Sequence, residues 1–156
     1  MPGLEDLYRE IILDHYRSPR NRGELPPPAR HAEGHNPLCG DEITVYLDVD
    51  GDGADAVGND VKVSGQGCSI SQSSASMMSA AIKGKSVAEV RALVRKFEDM
   101  VGIDKDDDDD AEAVPDVALG DLEALQGVAK FPVRIKCATL AWYTLTEALD
   151  APPAEA

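Results

Sequence analysis

An α+β domain is predicted, with a small antiparallel β-sheet and helices packed on one face, from the order of periodicities along the chain. An amphipathic helical stripe opens the sequence, two alternating segments separated by turn residues follow, and helical patterns fill most of the remainder. At 156 residues the chain can bury a core without staples. Residues 1–150 read as a single domain, with 151–156 as a disordered tail.

The first helix runs through Leu4, Leu7, Tyr8, Ile11, Ile12 and Tyr16, which share one face, and Ser18-Pro19 stops it. His15 reads as a helix-face residue. A loop with Pro26-Pro27-Pro28 follows, and His31 and His35 are read as loop residues. From Asp41 to Asp50, Ile43, Val45, Leu47 and Val49 alternate with other residues, the mark of a half-buried strand. Asp50-Gly51-Asp52-Gly53 is turn chemistry, and Val57 to Ser64 forms the second strand of a hairpin that brings Cys39 towards Cys68. The run from Asp48 to Gly53 resembles the start of a calcium loop. Its twelfth position is Asn59 instead of a bidentate glutamate, so the hairpin turn is preferred.

Ser69 to Ile82 reads as a helix of small residues ended by Gly84, with Met77 and Met78 in the core. Ser86 and Glu89 have capping-box spacing ahead of a stripe of Val90, Leu93, Val94 and Phe97. Asp104 to Asp110 is a solvated charge run. A short helix near Leu122 to Leu125 breaks at Gly127. Phe131-Pro132-Val133 then leads into a last helix with Ala138, Ala141, Leu145 and Ala148 on one face, and with Trp142 and Tyr143 packed but partly at the surface.

The bulk numbers exclude several function classes. A formal charge of -14 argues against nucleic acid, whose phosphates require Lys and Arg. No apolar run reaches the roughly 18 to 20 residues of a membrane span, and Met1 to Arg17 is charged and amphipathic, unlike a signal peptide. The expected compartment is the cytoplasm, where thiols stay reduced and free to bind metal.

Three cysteines carry the chemistry: Cys39 in Asn36-Pro37-Leu38-Cys39-Gly40-Asp41, Cys68 in Gly65-Gln66-Gly67-Cys68, and Cys137 in Arg134-Ile135-Lys136-Cys137. Three is the wrong number for a disulfide framework. With Asp41 they supply four donors, the number a tetrahedral zinc ion takes. Cys68 and Cys137 are each read at the start of a helix, where the positive dipole end favours a thiolate. A +2 ion with three thiolates and a carboxylate is anionic, and Arg134 and Lys136 flank Cys137 as counter-charge. Such a site suits a thiol that leaves the metal and reacts, whereas structural zinc more often takes four cysteines or a mixture with histidine.

These residues resemble the U-type iron–sulfur cluster assembly proteins, in the SufU branch, related to IscU and the NifU N-terminal domain. The resemblance runs from Tyr8-Arg9-Glu10-Ile11-Ile12-Leu13-Asp14-His15-Tyr16-Arg17-Ser18-Pro19-Arg20-Asn21-Arg22-Gly23 through the three cysteine elements, from about Leu4 to Leu149. Scaffolds of the IscU type carry histidine immediately before the third cysteine, where this chain has Lys136, and the long Cys68 to Cys137 interval also points to the SufU branch. The resemblance implies an IscU/SufU-like fold and one zinc ion on Cys39, Asp41, Cys68 and Cys137. It implies a zinc-dependent sulfurtransferase whose Cys39 accepts persulfide sulfur from a SufS-type cysteine desulfurase, with Arg134 supporting the charge and SufBCD-type machinery downstream. Two alternatives stay open: a scaffold holding a [2Fe–2S] cluster on the same ligands, and a structural zinc module.

Overall fold

The computed structural model describes residues 4–26, 29–36, 40–50, 56–101, 120–130 and 132–151. Its elements are α1 (Leu4–Arg17), β1 (Arg30–Asn36), β2 (Asp41–Asp50), β3 (Val57–Gln66), α2 (Ser69–Ile82), α3 (Val87–Met100), a 3-10 helix (Gly120–Lys130) and α4 (Pro132–Asp150). The strands form one antiparallel sheet in the order β1-β2-β3. Ile43, Val45 and Leu47 of β2, with Val61 and Val63 of β3, are buried on the face that α2 and α4 cover. The expected α+β architecture is the observed one.

The hairpin of β2 and β3 pairs from Glu42↔Gln66 to Asp50↔Val57, with a bulge where the partner of Asp48 is Asp60 and that of Val49 is Gly58. The turn itself and the acidic run 104–110 lie outside the described residues. β1 corrects the reading of His31 and His35 as loop residues: both are exposed strand residues, and His31 stacks on Tyr46 across the ladder. The segment has almost no β-branched or aromatic residues, so its own propensity is weak. It is a strand because β2 offers it a ladder and because Gly34 admits α4. A side chain at Gly34 would overlap the Thr144 hydroxyl.

α2 is the centre of the molecule. Every residue from Ser71 to Ser79 is buried, with α1, α4, β3 and the 3-10 helix packed around it. Its small side chains let these neighbours close in, and its hydroxyls then need partners. Ser76 Oγ meets His15 Nδ1 at 2.8 Å and accepts from the Arg20 backbone N–H at 2.9 Å. Ser79 Oγ accepts from Asn21 Nδ2 at 3.1 Å. Ser74 Oγ donates to the Ala138 carbonyl of α4 at 2.6 Å and accepts from the Trp142 indole N–H at 3.1 Å. Trp142 is therefore fully buried, stacked on Phe97 with ring centroids 4.4 Å apart, and does not reach the surface as its sequence position implied. Tyr16, assigned to the apolar stripe of α1, is instead 44% exposed; His15 takes the inward place beside it.

The chain after α1 seals one edge of the sheet. Val63 N–H donates to the Asn21 carbonyl at 2.9 Å and Gly23 N–H to the Val63 carbonyl at 3.0 Å. Further along, Gly58 N–H donates to the Lys85 carbonyl and Gly84 N–H to the Gly58 carbonyl. Asn21 holds φ at 56°, a left-handed conformation that asparagine tolerates better than most residues.

The stripe of α3 is buried as expected, behind a complete capping box of Ser86 and Glu89. The helix expected near Leu122 is a longer 3-10 segment that continues through Gly127. Leu122, Leu125 and Val128 are buried at intervals of three, the period of a 3-10 helix, and that packing outweighs the roughly 1 kcal/mol cost of an exposed glycine.

Two outcomes follow for stability. Ser74→Ala leaves the buried Trp142 N–H without its acceptor, at a cost of about 1–3 kcal/mol readable by denaturant unfolding; an unchanged midpoint would contradict this account. The Ser86 backbone N–H holds the Glu89 carboxyl below its ordinary 4.5, with the Ser86 hydroxyl and the Lys85 charge acting in the same direction against partial desolvation. A depressed folded-state pKa means the stabilisation is full above the unfolded value and is lost as pH falls through the folded one. The difference in Tm between wild type and Glu89→Ala is thus largest near neutral pH and closes as pH drops below 4.5.

Candidate metal centre

Asp41 occupies the first position of β2 and continues the inward stripe of Ile43, Val45 and Leu47. A carboxylate at the end of a buried apolar row needs a partner. One is the Cys68 backbone N–H, which donates to Asp41 Oδ1 at 2.9 Å. The other oxygen, Oδ2, lies 4.0 Å from Cys68 Sγ. One oxygen is thus tied to the backbone and the other faces the thiol.

Cys68 is the N-cap of α2, in extended conformation at φ -72° and ψ 170°, and its sulfur accepts from the Ser71 backbone N–H at 3.4 Å. The approach to it is built from glycines. A Cβ at Gly67 would stand 2.5 Å from Asp41 Oδ1, so only glycine lets the carboxylate come this close. Gly65, at φ +125°, passes so near the Glu42 carbonyl that a side chain would overlap it. Arg22 clamps the same loop from the other side, with one guanidinium nitrogen donating to Gln72 Oε1 at 3.0 Å and the other to the Gly65 carbonyl at 2.9 Å.

Cys137 is buried, and it lies in the second turn of α4 instead of at the helix start. Pro132 opens that helix earlier than the sequence implies, in keeping with the preference of proline for the first helical position. The Cys137 thiol is therefore positioned by packing of α4 against α2, and not by a helix terminus.

Asp41, Cys68 and Cys137 converge, with one ligand atom from each lying within 4.8 Å of the others. Ligands at bonding distance around a tetrahedral zinc ion stand about 3.5–3.8 Å apart, so a small contraction brings these three onto one ion. Two sulfurs and a carboxylate oxygen, mostly shielded from water, fit zinc better than a hard cation. Cys39 lies outside the described residues; its chain is anchored where Gly40 N–H donates to the Asn36 carbonyl at 2.9 Å, next to Asp41. Arg134 is exposed one helical turn before Cys137 and makes no ion pair among the described residues. An open groove of about 500 Å³, lined by Glu33, His35, Asn36, Glu42 and Gly65 among others, reaches Asp41. The roles of Gly67, Arg22 and Ser71 were missed in the sequence; the paired glycines before Cys68 were the available signal.

Comparison with known proteins agrees with this arrangement. The chain is 48% identical over 143 residues to the zinc-dependent sulfurtransferase SufU of Bacillus subtilis, covering 91% of this chain and 88% of that one. It is 40% identical over 143 residues to the iron–sulfur cluster assembly scaffold protein IscU of Thermotoga maritima, covering 92% of each. A solved structure from Fervidobacterium islandicum, assigned as an iron–sulfur cluster assembly scaffold protein for the SUF system, superposes with a TM-score of 0.73 at 35% identity, covering 94% of this chain and 99% of that one. Residues 7–138 match the NifU-like N-terminal domain, and the chain belongs to that family.

Proposed function

We propose that this protein is a zinc-dependent sulfurtransferase of iron–sulfur cluster assembly, acting with a cysteine desulfurase in the cytoplasm. The observation that carries the reading is the convergence of Asp41, Cys68 and Cys137, in a chain nearly half identical to a zinc-dependent sulfurtransferase. Cys39 is the proposed fourth ligand and the sulfur acceptor. Among the described residues, no helix is long and apolar enough to cross a membrane.

Zinc, when bound, keeps its thiols deprotonated at neutral pH. The residues of the chain do the rest. Asp41 is oriented by the Cys68 N–H, and Cys68 and Cys137 are held by α2 and α4. Cys39 belongs to the short connection between β1 and β2, and its thiolate attacks the outer sulfur of the desulfurase persulfide. A new S–S bond forms at Cys39, the donor's S–S bond breaks, and the donor cysteine leaves as a thiolate, with no net redox change. The groove at Asp41 supplies an approach for the donor, and Arg134 offsets the negative charge. SufBCD-type machinery is the proposed consumer of the sulfur.

The scaffold reading draws on the relatives named as scaffolds. Lys136 stands where the family resemblance gives scaffolds of the IscU type a histidine, and this weighs against it. Absence of a cluster spectrum after anaerobic reconstitution removes it.

The zinc-loaded wild type is expected to stimulate turnover of a SufS-type desulfurase, while Cys39→Ala and the chelated protein do not. Equal stimulation by Cys39→Ala would sink the assignment of the acceptor. Gly67→Ala drives a methyl group into the Asp41 carboxylate and is expected to lower zinc below one ion per chain, with helix content by circular dichroism retained. Full loading at wild-type affinity would show that Asp41 is not a ligand.

A further inference from the structure

α2 carries five buried serines, at positions 71, 73, 74, 76 and 79. Four have hydroxyl partners: Ser73 donates to the Ser69 carbonyl, Ser74 bridges to α4, and Ser76 and Ser79 hold the chain after α1. Ser71 differs. Its side chain is almost wholly buried, at 1% exposure for the residue, and its Oγ has no hydrogen-bond partner among the described residues. A buried hydroxyl left unpaired costs stability, so its persistence needs an explanation.

The two capped helices locate the cause. In α3, Ser86 and Glu89 close a capping box: the third helical residue's side chain accepts from the N-cap backbone N–H. Cys68 and Ser71 have the same spacing in α2, and half of the box is present, with Ser71 N–H donating to Cys68 Sγ. The reciprocal half is missing because the Cys68 N–H is already given to Asp41 Oδ1. Side chains on a helix lean towards its N-terminus, so the idle hydroxyl leans towards the turn that holds Cys68. It is a donor in need of an acceptor, on a residue whose backbone N–H already reaches the Cys68 sulfur at 3.4 Å, and that sulfur becomes a strong acceptor as a metal-bound thiolate.

We infer that the Ser71 hydroxyl donates to the Cys68 thiolate when metal is bound, so that Cys68 receives two hydrogen bonds from one residue. This rests on the zinc reading above and deepens it. A hydrogen bond to a thiolate withdraws lone-pair density from the sulfur and lowers its nucleophilicity. Ser71 is thus a positioning residue that keeps Cys68 on the metal as the inert thiol.

The test uses full-length wild type, Ser71→Ala and, as a control for a helix hydroxyl committed elsewhere, Ser73→Ala. Each is loaded with Co(II) for spectroscopy and with zinc for alkylation by iodoacetamide, mapped by mass spectrometry. In Ser71→Ala the sulfur-to-cobalt charge-transfer band is expected to move to longer wavelength, and Cys68 to be alkylated about tenfold faster, the kinetic equivalent of one hydrogen bond to an ionised acceptor. Ser73→Ala is expected to match wild type in both. The metal-free Ser71→Ala protein should melt no lower than wild type, because it loses only an unpaired group. An identical band and alkylation pattern in Ser71→Ala would overturn the inference. So would weaker metal binding with an unmoved band, which would place the hydroxyl on Asp41. Failure of wild type to show any sulfur-to-cobalt band would instead overturn the thiolate site itself.

Discussion

One buried hydroxyl sets the register on which the rest depends. Ser74 donates to the Ala138 carbonyl and accepts from Trp142, so it fixes α4 along α2 at two points one helical turn apart. Ala138 is the residue after Cys137, and Cys68 caps the helix that carries Ser74. Sliding α4 by one residue would rotate Cys137 about 100° away from the site. The Asp41 bond to the Cys68 N–H fixes the third element in the same way. Strand, helix cap and second helix are thus locked together by polar contacts, while the apolar core supplies the bulk of the stabilisation.

The serine content of α2 has a similar explanation. Alanines would allow the same close packing, but they would remove the Ser76 and Ser79 hydroxyls that hold His15, Arg20 and Asn21. Gln72, Ser76 and Ser79 lie at helical spacing along one side of α2, with Lys83 at its C-cap, and each bonds a residue from His15 to Arg22. The segment held by this polar row is the one that covers the edge of β3 and sends Arg22 to the loop before Cys68. The small-residue helix therefore organises both the sheet edge and the metal-site loop.

Elements whose periodicity was decided by their own core contacts were legible in the sequence: the β2–β3 hairpin, α2, and α3 with its capping box. β1 was not, because its pairing is imposed by β2 and its fit by Gly34 beneath α4. The 3-10 helix was misread because its apolar residues repeat every three positions across a glycine. At the site, Asp41, Cys68 and Cys137 were recognisable as candidate donors from residue type, and the glycines before Cys68 were visible from their spacing. The placement of Cys137 inside α4 was misjudged, since Pro132 starts the helix a turn and more before it. Ser71 was invisible, because a serine in a serine-rich helix differs from its neighbours only in what its hydroxyl meets.

The three donors that converge come from widely separated stretches of chain, and the last of them sits in the final helix. During synthesis, Asp41 and Cys68 leave the ribosome well before Cys137. A nascent or truncated polypeptide offers an incomplete ligand set, and metal affinity grows with each ligand that a folded site supplies. The three donors come together only when α4 is packed against α2, so metal affinity is linked to completion of the fold.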